Sequence, residues 1–347
     1  MLVKNNHQII FAGLYAPPAN VLEVEGASHV DLHGSRSFFS LGLLRALIRL
    51  IKKEKPDVIQ ANGSDTLKYA VLAKVFMPGL RITYRNISMI SAWSKKGSLR
   101  HSFNKWLFRH VDYVTSVGEQ ALQDLRQSYQ YPSTQTAVIR RGIPHFDYDS
   151  SVEKKKIAAT FQFNANATLL IHVGQFSPEK NHQFLIDCFP LIKKQCPDVK
   201  LLLLGEGKLL QEMKEKVMNK ELQQDIIFVG YQKEVQRWLS AADLFVMTST
   251  VEGVPGVVLE AGMQKVPAVA VNVGGVGEVV IDHQTGLLVP QHDAQLLADA
   301  VIDLLKDEEK RKQYGKNACT FVQQNYSLEK CRTSFEAVYE KLVKQAC

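Results

Sequence analysis

Cysteine, long apolar runs and a dinucleotide-binding fingerprint are what this chain has little or nothing of. Its five cysteines among 347 residues, Cys188, Cys196, Cys319, Cys331 and Cys347, are scattered and include no C-x-x-C pair. That spacing excludes a zinc knuckle and a disulfide-built scaffold, and it reads as a set of reduced thiols in a cytosolic protein. Hydrophobic residues make up 46% of the chain, enough to fill a core. No unbroken apolar run reaches about 18 residues, the length that reads as a membrane-spanning helix. The opening MLVKNNHQII has no basic flank leading into an apolar stretch and is not the pattern of a signal peptide. No G-x-G-x-x-G follows the first strand-like segment, which argues against a nicotinamide dehydrogenase.

Acidic residues are short in one half only. Residues 1–150 hold 19 Lys and Arg against 11 Asp and Glu, whereas the rest holds 23 against 24, so the net charge of +7 belongs to the first half. Two stretches carry much of it, LGLLRALIRLIKKEK from Leu41 to Lys55 and SKKGSLRHSFNKWLFRH from Ser94 to His110. The first has the apolar stripe of an ordinary core-facing helix. The second has no acidic residue and interleaves Phe103, Trp106 and Phe108, with Trp93 just before it. A basic, aromatic helix of this kind suits either an anionic membrane surface or a domain core. No nucleic-acid-binding motif accompanies the charge, so nucleic acid is not an expected partner.

A chain of this length exceeds what one core usually supports, so two domains are expected. In order, the first half reads as a strand at HQIIFAGLY (His7 to Tyr15), a loop through Pro17-Pro18, and a helix from Phe39 to Lys55. A strand from Asp57 to Ala61, a helix from about Asp65, a strand from Arg81 to Tyr84, and the loop RNISMISAWSKKG follow. A helix to Arg109, the strand Tyr113 to Ser116 and a helix from Glu119 complete it. The run HFDYDSSVEKKK then reads as an interdomain connection, and the alternation restarts. Strands at Thr168–Val173, Val199–Leu204, Ile226–Val229, Leu244–Met247 and Pro267–Val271 alternate with helices, the signature of parallel, doubly wound sheets.

Within the second half, TSTVEGVPGVVLEAGMQKVP from Thr248 to Pro267 is the stretch most suited to a ligand. A short buried strand precedes it and a helix begins near Val257, so its glycines and Pro255 occupy a strand-to-helix turn. Small residues there let the backbone approach a phosphate, and the helix start favours an anion. Glu252 and Glu260 cannot bind phosphate, but a carboxylate on each side suits a ligand with hydroxyls flanking a diphosphate. Taken alone, the same pair also fits a helix-start charge and a solvated helix residue.

From Ile171 to Pro290 the sequence resembles the C-terminal domain of the family 4 retaining glycosyltransferases of GT-B fold. It carries GQFSPEKN from Gly174, LLLLGEG from Leu201, VGYQKEV from Val229, EGVPGVVLEAG from Glu252, PAVAVNVGGVGEVV from Pro267 and TGLLVP from Thr285. The N-terminal half is similar more loosely, through KPDVIQANG from Lys55 and VIRRGIP from Val138. The resemblance implies an α/β fold of two Rossmann-like doubly wound parallel-sheet domains facing a central cleft. Residues 1–150 would form an acceptor-side domain completed by a final helix over 328–347, and residues 151–327 the nucleotide-sugar donor domain.

The same resemblance implies roles for single residues. Glu260 would hold the nucleotide ribose, Glu252 the donor-sugar hydroxyls, and the backbone at Gly256 and Val257 the diphosphate. Lys180 would neutralise that diphosphate, so that leaving-group charge is met by a fixed cation and no divalent metal or other cofactor is expected. Gly205, Gly207 and Tyr231 would line the base pocket. Relatives commonly carry an arginine where Gln175 stands, so Lys180 acts alone or with Arg85 or Arg141. They often place a histidine on the N-domain loop where this chain offers Arg85 and Asn86.

Family members also begin with a strand, a glycine-rich loop and a helix ahead of the segment that HQIIFAGLY resembles. By that pattern about 25 residues, one strand-helix unit, are missing. Either MLVKN is the tail of a preceding helix and HQIIFAGLY an interior strand, or the strands flanking the missing one pair directly. The implied activity is transfer of a sugar from a UDP- or GDP-linked donor to a lipid-linked or surface-polysaccharide acceptor, in the cytoplasm at the inner face of the plasma membrane. A nucleotide-sugar-binding relative without turnover, and a GT-B-type sugar-nucleotide epimerase, are the alternatives.

Overall fold

The structure is a computed structural model that describes residues 7–15, 24–34 and 39–344. The readings of MLVKN as a helix tail and of Pro17-Pro18 as a loop lie outside the described residues, as do the last three residues of the expected final helix. The chain divides into two compact units, one made of residues 1–142 and 328–347, the other of residues 143–327.

The first unit runs β1 (Ile10–Tyr15), β2 (Ser28–Gly34), α1 (Leu41–Glu54), β3 (Ile59–Ala61), α2 (Ser64–Phe76), β4 (Ile82–Asn86), α3 (Leu99–Phe108), β5 (Tyr113–Ser116), α4 (Glu119–Tyr129) and β6 (Thr136–Val138). The chain's last helix, Leu328–Lys344, also belongs to this unit. Strands β3-β4-β5-β6 form a four-stranded parallel sheet, while β1 and β2 form a separate parallel pair. Sequence reading missed β2 because SHVDLHG is polar and mostly exposed; its pairing with β1, not burial, makes it a strand. Among the described residues β1 has one ladder partner, β2, and makes no ladder with β3, so the direct pairing expected across the missing strand is not formed.

Helix α1 forms as its pattern predicts. Ser40 caps its start by accepting the Leu43 N–H at 3.3 Å, Lys55 ends it in the left-handed region at φ 47°, and Leu43, Leu44, Leu47 and Ile51 make the buried stripe. In α3 and the turn before it, by contrast, Leu99 is 92% exposed, and Trp93 and Trp106 also stand in solvent.

The second unit begins with α5 (Ser150–Phe161), in the stretch read from sequence as a connection. The polar run HFDYDSSVEKKK hides a helix start: the Asp149 carboxylate accepts the N–H groups of Ser151 and Val152, and Ile157 and Ala158 face the core. Next come β7 (Thr168–Val173), α6 (His182–Gln195), β8 (Val199–Leu204), α7 (Leu210–Asn219), β9 (Ile226–Gly230), α8 (Val235–Ala241) and β10 (Leu244–Met247). The chain continues through α9 (Gly256–Met263), β11 (Ala268–Val271), β12 (Gly286–Val289), α10 (Ala294–Lys306) and α11 (Glu308–Asn325), and α12 is the last helix, Leu328–Lys344.

All six strands are parallel, in the order β12-β11-β10-β7-β8-β9. Continuous apolar runs such as LLLL in β8 are buried on both faces, as a parallel sheet between helix layers requires. Winding proceeds outward from β7 to β9, returns to β10 beside β7, and proceeds outward again to β12. The reversal between β7 and β10 is the topological switch point, where open α/β sheets leave a crevice at the carboxyl ends of the strands.

Candidate functional site at the switch point

The loops that leave β7 and β10 meet at that crevice, and backbone and hydroxyl contacts lace them together. Thr250 N–H donates to the Glu179 carbonyl at 2.8 Å, and the Thr248 hydroxyl reaches the carbonyls of Asn181 at 3.1 Å and Lys180 at 3.3 Å. Lys180 and Glu252, 72 positions apart in sequence, are thereby brought into a direct ion pair, with Nζ to Oε1 at 2.5 Å. Glu252 is nearly buried, with a side chain 10% exposed against 29% for Lys180.

Three glycines make the loops approach this closely. A Cβ on Gly275 would land on the Gly253 carbonyl, beside Glu252, so only glycine lets the turn after β11 support the Glu252 loop. Gly205 and Gly207, at φ 138° and 156°, press against the carbonyls of Gly174 and Phe176. They therefore shape the Lys180 loop from below. Gly205 N–H also donates to the Gly230 carbonyl at 2.9 Å, which ties it to the residue before Tyr231.

Gly256 and Val257 are the first two residues of α9, after Pro255, and no side chain caps that helix end. Backbone N–H groups at an uncapped helix start suit an anion. Glu260, one turn further, is half-buried, and the Gln236 amide of α8 reaches its Oε2 at 3.5 Å. Tyr231 is 55% exposed and lines a cavity of about 480 Å³ with Lys156, Gln232, Lys233, Arg237 and Trp238. Gln175 is exposed on the loop after β7.

Arg85 and Asn86 are placed differently from the sequence reading. Both lie inside β4, not on the loop after it, and both are buried. The Arg85 guanidinium donates to the Ile139 carbonyl at 2.7 Å and stacks on Phe335 of α12, 4.9 Å from its ring centre. Burial holds its pKa below the usual range. Asn86 donates to the Ala121 carbonyl at 2.9 Å. These two side chains bind β4 to the residue after β6, to α4 and to α12, which is packing within the first unit.

Sequence reading missed a buried histidine pair behind Lys180. His172 in β7 and His182 at the start of α6 have ring centres 4.6 Å apart, and Phe176 stacks on His182 at 4.0 Å. His172 Nδ1 bonds the Val246 carbonyl at 2.9 Å. Burial lowers the pKa of His172 to about 4 and that of His182 to about 2, so both rings are neutral near pH 7. The available signal was a polar residue, His172, inside an otherwise apolar strand.

The metal-free reading also passed over an Asp-x-Asp pair, Asp147-Tyr148-Asp149. Asp149 is the cap of α5, and hydrogen bonds from Ser151 and Val152 hold its carboxyl below the usual carboxylate range. Asp147 is almost fully exposed beside His145. The four cysteines among the described residues are free. None of the described helices is long and apolar enough to cross a membrane.

Residues 153–320 match the family model of glycosyl transferases group 1, and residues 1–145 that of Glycosyltransferase Family 4. An uncharacterized glycosyltransferase of Methanocaldococcus jannaschii is 33% identical over 325 residues, covering 93% of this chain and 78% of that protein. The N-acetyl-alpha-D-glucosaminyl L-malate synthase of Bacillus anthracis is 28% identical over 236 residues. That match spans 67% of this chain but only 60% of the relative. Among solved structures, Anabaena HepE in complex with UDP and glucose superposes with a TM-score of 0.77 at 20% identity, covering 91% of this chain and 86% of that one. At that identity the likeness is one of fold.

Proposed function

Because this chain belongs to the family 4 glycosyltransferases of GT-B fold, we propose that it transfers a sugar from a UDP- or GDP-linked donor, with retention of anomeric configuration. The observation that carries this reading is the meeting of Lys180 and Glu252 at the switch point, beside the uncapped start of α9. A nucleoside diphosphate is the leaving group of such a transfer. Its developing charge is met in this reading by Lys180 and by the N–H groups at Gly256 and Val257, without a divalent metal. Glu252 accepts hydrogen bonds from the donor sugar and Glu260 from the ribose, where vicinal hydroxyls match a two-oxygen acceptor. Tyr231 and the backbone at Gly205 and Gly207 serve the base.

The acceptor in this proposal is lipid-linked or a surface polysaccharide, and the protein works at the inner, cytoplasmic face of a membrane. Support comes from the first unit, where Trp93, Leu99 and Trp106 are exposed next to Lys95, Lys96, Arg100 and Arg109. Apolar side chains ringed by cations fit the headgroup region of an anionic bilayer.

Incubation with a panel of UDP- and GDP-sugars, with nucleoside diphosphate release as the readout, tests the transferase reading. Release that persists with excess chelator and falls in Lys180→Ala is the expected result. Binding of a nucleotide sugar with no release across the panel and a set of lipid-linked acceptors would leave a binding protein instead. Loss of release on chelation, restored by magnesium or manganese, would overturn the metal-free mechanism.

A further inference from the structure

Two groups to which the donor-site reading gives different ends of the ligand neutralise one another here. Lys180 Nζ lies 2.5 Å from Glu252 Oε1, and the carboxylate side chain is only 10% exposed. The buried rings that feel the Lys180 charge, His172 and His182, are neutral and offer Glu252 no replacement cation. A diphosphate that draws Lys180 to itself must therefore leave a nearly buried carboxylate without its partner, close to new negative charge. What happens next depends on the ligand. A sugar nucleotide brings donor-sugar hydroxyls that can donate to the released carboxylate, whereas a nucleoside diphosphate brings only its ribose hydroxyls, which this reading assigns to Glu260.

We propose that Glu252 is a specificity-determining residue that favours the sugar-bearing donor over the nucleoside diphosphate product, by exchanging Lys180 for sugar hydroxyls. The inference rests on the donor-site reading above and adds a role in product release. The exchange is local. Thr248 and Thr250 hold the two loop backbones together, so the exchange asks only for side-chain rotation, and the Lys180 stem lies along Gly174, which has no side chain of its own. The ion pair so acts as a placeholder: a full donor compensates its loss at both ends, and the spent product at one end only.

Calorimetric titration of UDP, GDP, UDP-glucose and GDP-mannose into the wild type, Glu252→Gln, Lys180→Met and the double variant tests this. Removing the carboxylate charge frees Lys180, so Glu252→Gln is expected to bind UDP or GDP about tenfold more tightly. Its affinity for the matching sugar nucleotide should stay level or fall, narrowing the donor-to-product preference. With Lys180→Met in place, the same substitution should tighten binding less, since it then relieves only the repulsion between carboxylate and diphosphate. Glu252→Asp, which shortens the reach to Lys180, should tighten product binding partway and serves if the glutamine variant does not fold. Unchanged or weaker product affinity in the folded Glu252 variants overturns the exchange and leaves the donor site standing. A wild type that binds none of the four ligands overturns both.

Discussion

Glu260 sits on the first turns of α9, half-buried, and the Gln236 amide reaches its Oε2 at 3.5 Å. Charge-assisted hydrogen bonds of the kind it would offer a ribose contribute about 1.5 to 3 kcal/mol each. Glu260→Ala is therefore expected to weaken nucleoside diphosphate binding by roughly tenfold to a few hundredfold, as read by calorimetry. Unchanged affinity in the folded variant would remove the ribose role. A second residue-scale expectation concerns acid. His172 and His182 are neutral in the fold, with pKa values lowered from 6.5 to about 4 and about 2. A depressed histidine pKa means that the unfolded chain binds the proton first as pH falls. The stability contributed by the neutral pair is thus fully present above the unfolded value and is lost on acidification toward the folded one. Each imidazole costs about 1.4 kcal/mol per pH unit in that window. The thermal midpoint should drop between about pH 7 and about pH 5, and His172→Asn should flatten the slope. Equal slopes for wild type and variant would show that another group titrates. The positions of Lys180 and Glu252 on loops after strand ends, and of Glu260 inside the following helix, were legible from sequence because strand, turn and helix alternate in a fixed pattern. Their ion pair was not, since nothing local brings together residues 72 positions apart.

At the scale of elements, the alternating apolar runs read well wherever a strand is buried on both faces. β7, β8 and β10 have the bounds that their sequences suggest. Reading failed where pairing or capping, not hydrophobicity, decides the structure. β2 is polar and depends on β1, and α5 depends on the Asp149 cap and a small apolar face. It also failed at the end of β4, where Arg85 and Asn86 resemble loop residues but bury against α4, α12 and Ile139 just after β6. The turn after β11 supports a sharper expectation. Gly275 has an ordinary φ of −84°, so Gly275→Ala costs nothing in backbone strain and acts only through its collision with the Gly253 carbonyl. Overpacking of this kind costs about 1 to 3 kcal/mol. Because the displaced backbone adjoins Glu252, donor turnover should fall more than the melting temperature suggests, and Gly277→Ala, whose nearest neighbour is 3.5 Å away, should be mild by comparison. Equal behaviour of the two alanine variants would remove the steric account. Helix α3 carries the other element-scale expectation. Cations around Trp93, Leu99 and Trp106 should each add about 1 kcal/mol at an anionic surface and be screened by salt. Co-sedimentation with anionic vesicles should exceed that with neutral ones and decline as salt rises. Equal binding to both, or none, would make the patch ordinary surface.

For the whole molecule, the telling feature is how the chain enters and leaves the second unit. It enters at Ile143 and leaves after Ser327, and the Ile143 N–H donates to the Tyr326 carbonyl at 2.8 Å. The two ends of this unit therefore lie side by side. All six strands of its sheet find their ladder partners inside it, and helices on both faces bury a continuous core of Leu, Ile, Val and Phe side chains. Every site residue of the donor reading except Arg85, Asn86 and Arg141 is also inside it. An excised 143–327 fragment thus gives up no strand pairing and cuts the chain where its ends already meet, the conditions under which a domain folds alone. The first unit differs, since its described strands are shared between a four-stranded sheet and a separate pair. Limited proteolysis of the full chain is expected to leave a resistant fragment that starts between residues 143 and 165. The purified 143–327 fragment should melt cooperatively and bind UDP or GDP within about threefold of the full chain, since distant, independent sites perturb one another by only a few tenths of a kcal/mol. It should release no nucleoside diphosphate by transfer, because the acceptor side lies in the other unit in this reading. A fragment that folds but binds neither nucleotide would mean that the first unit supplies part of the donor site. Proteolysis that clears both units at the same rate would mean that neither folds without the other.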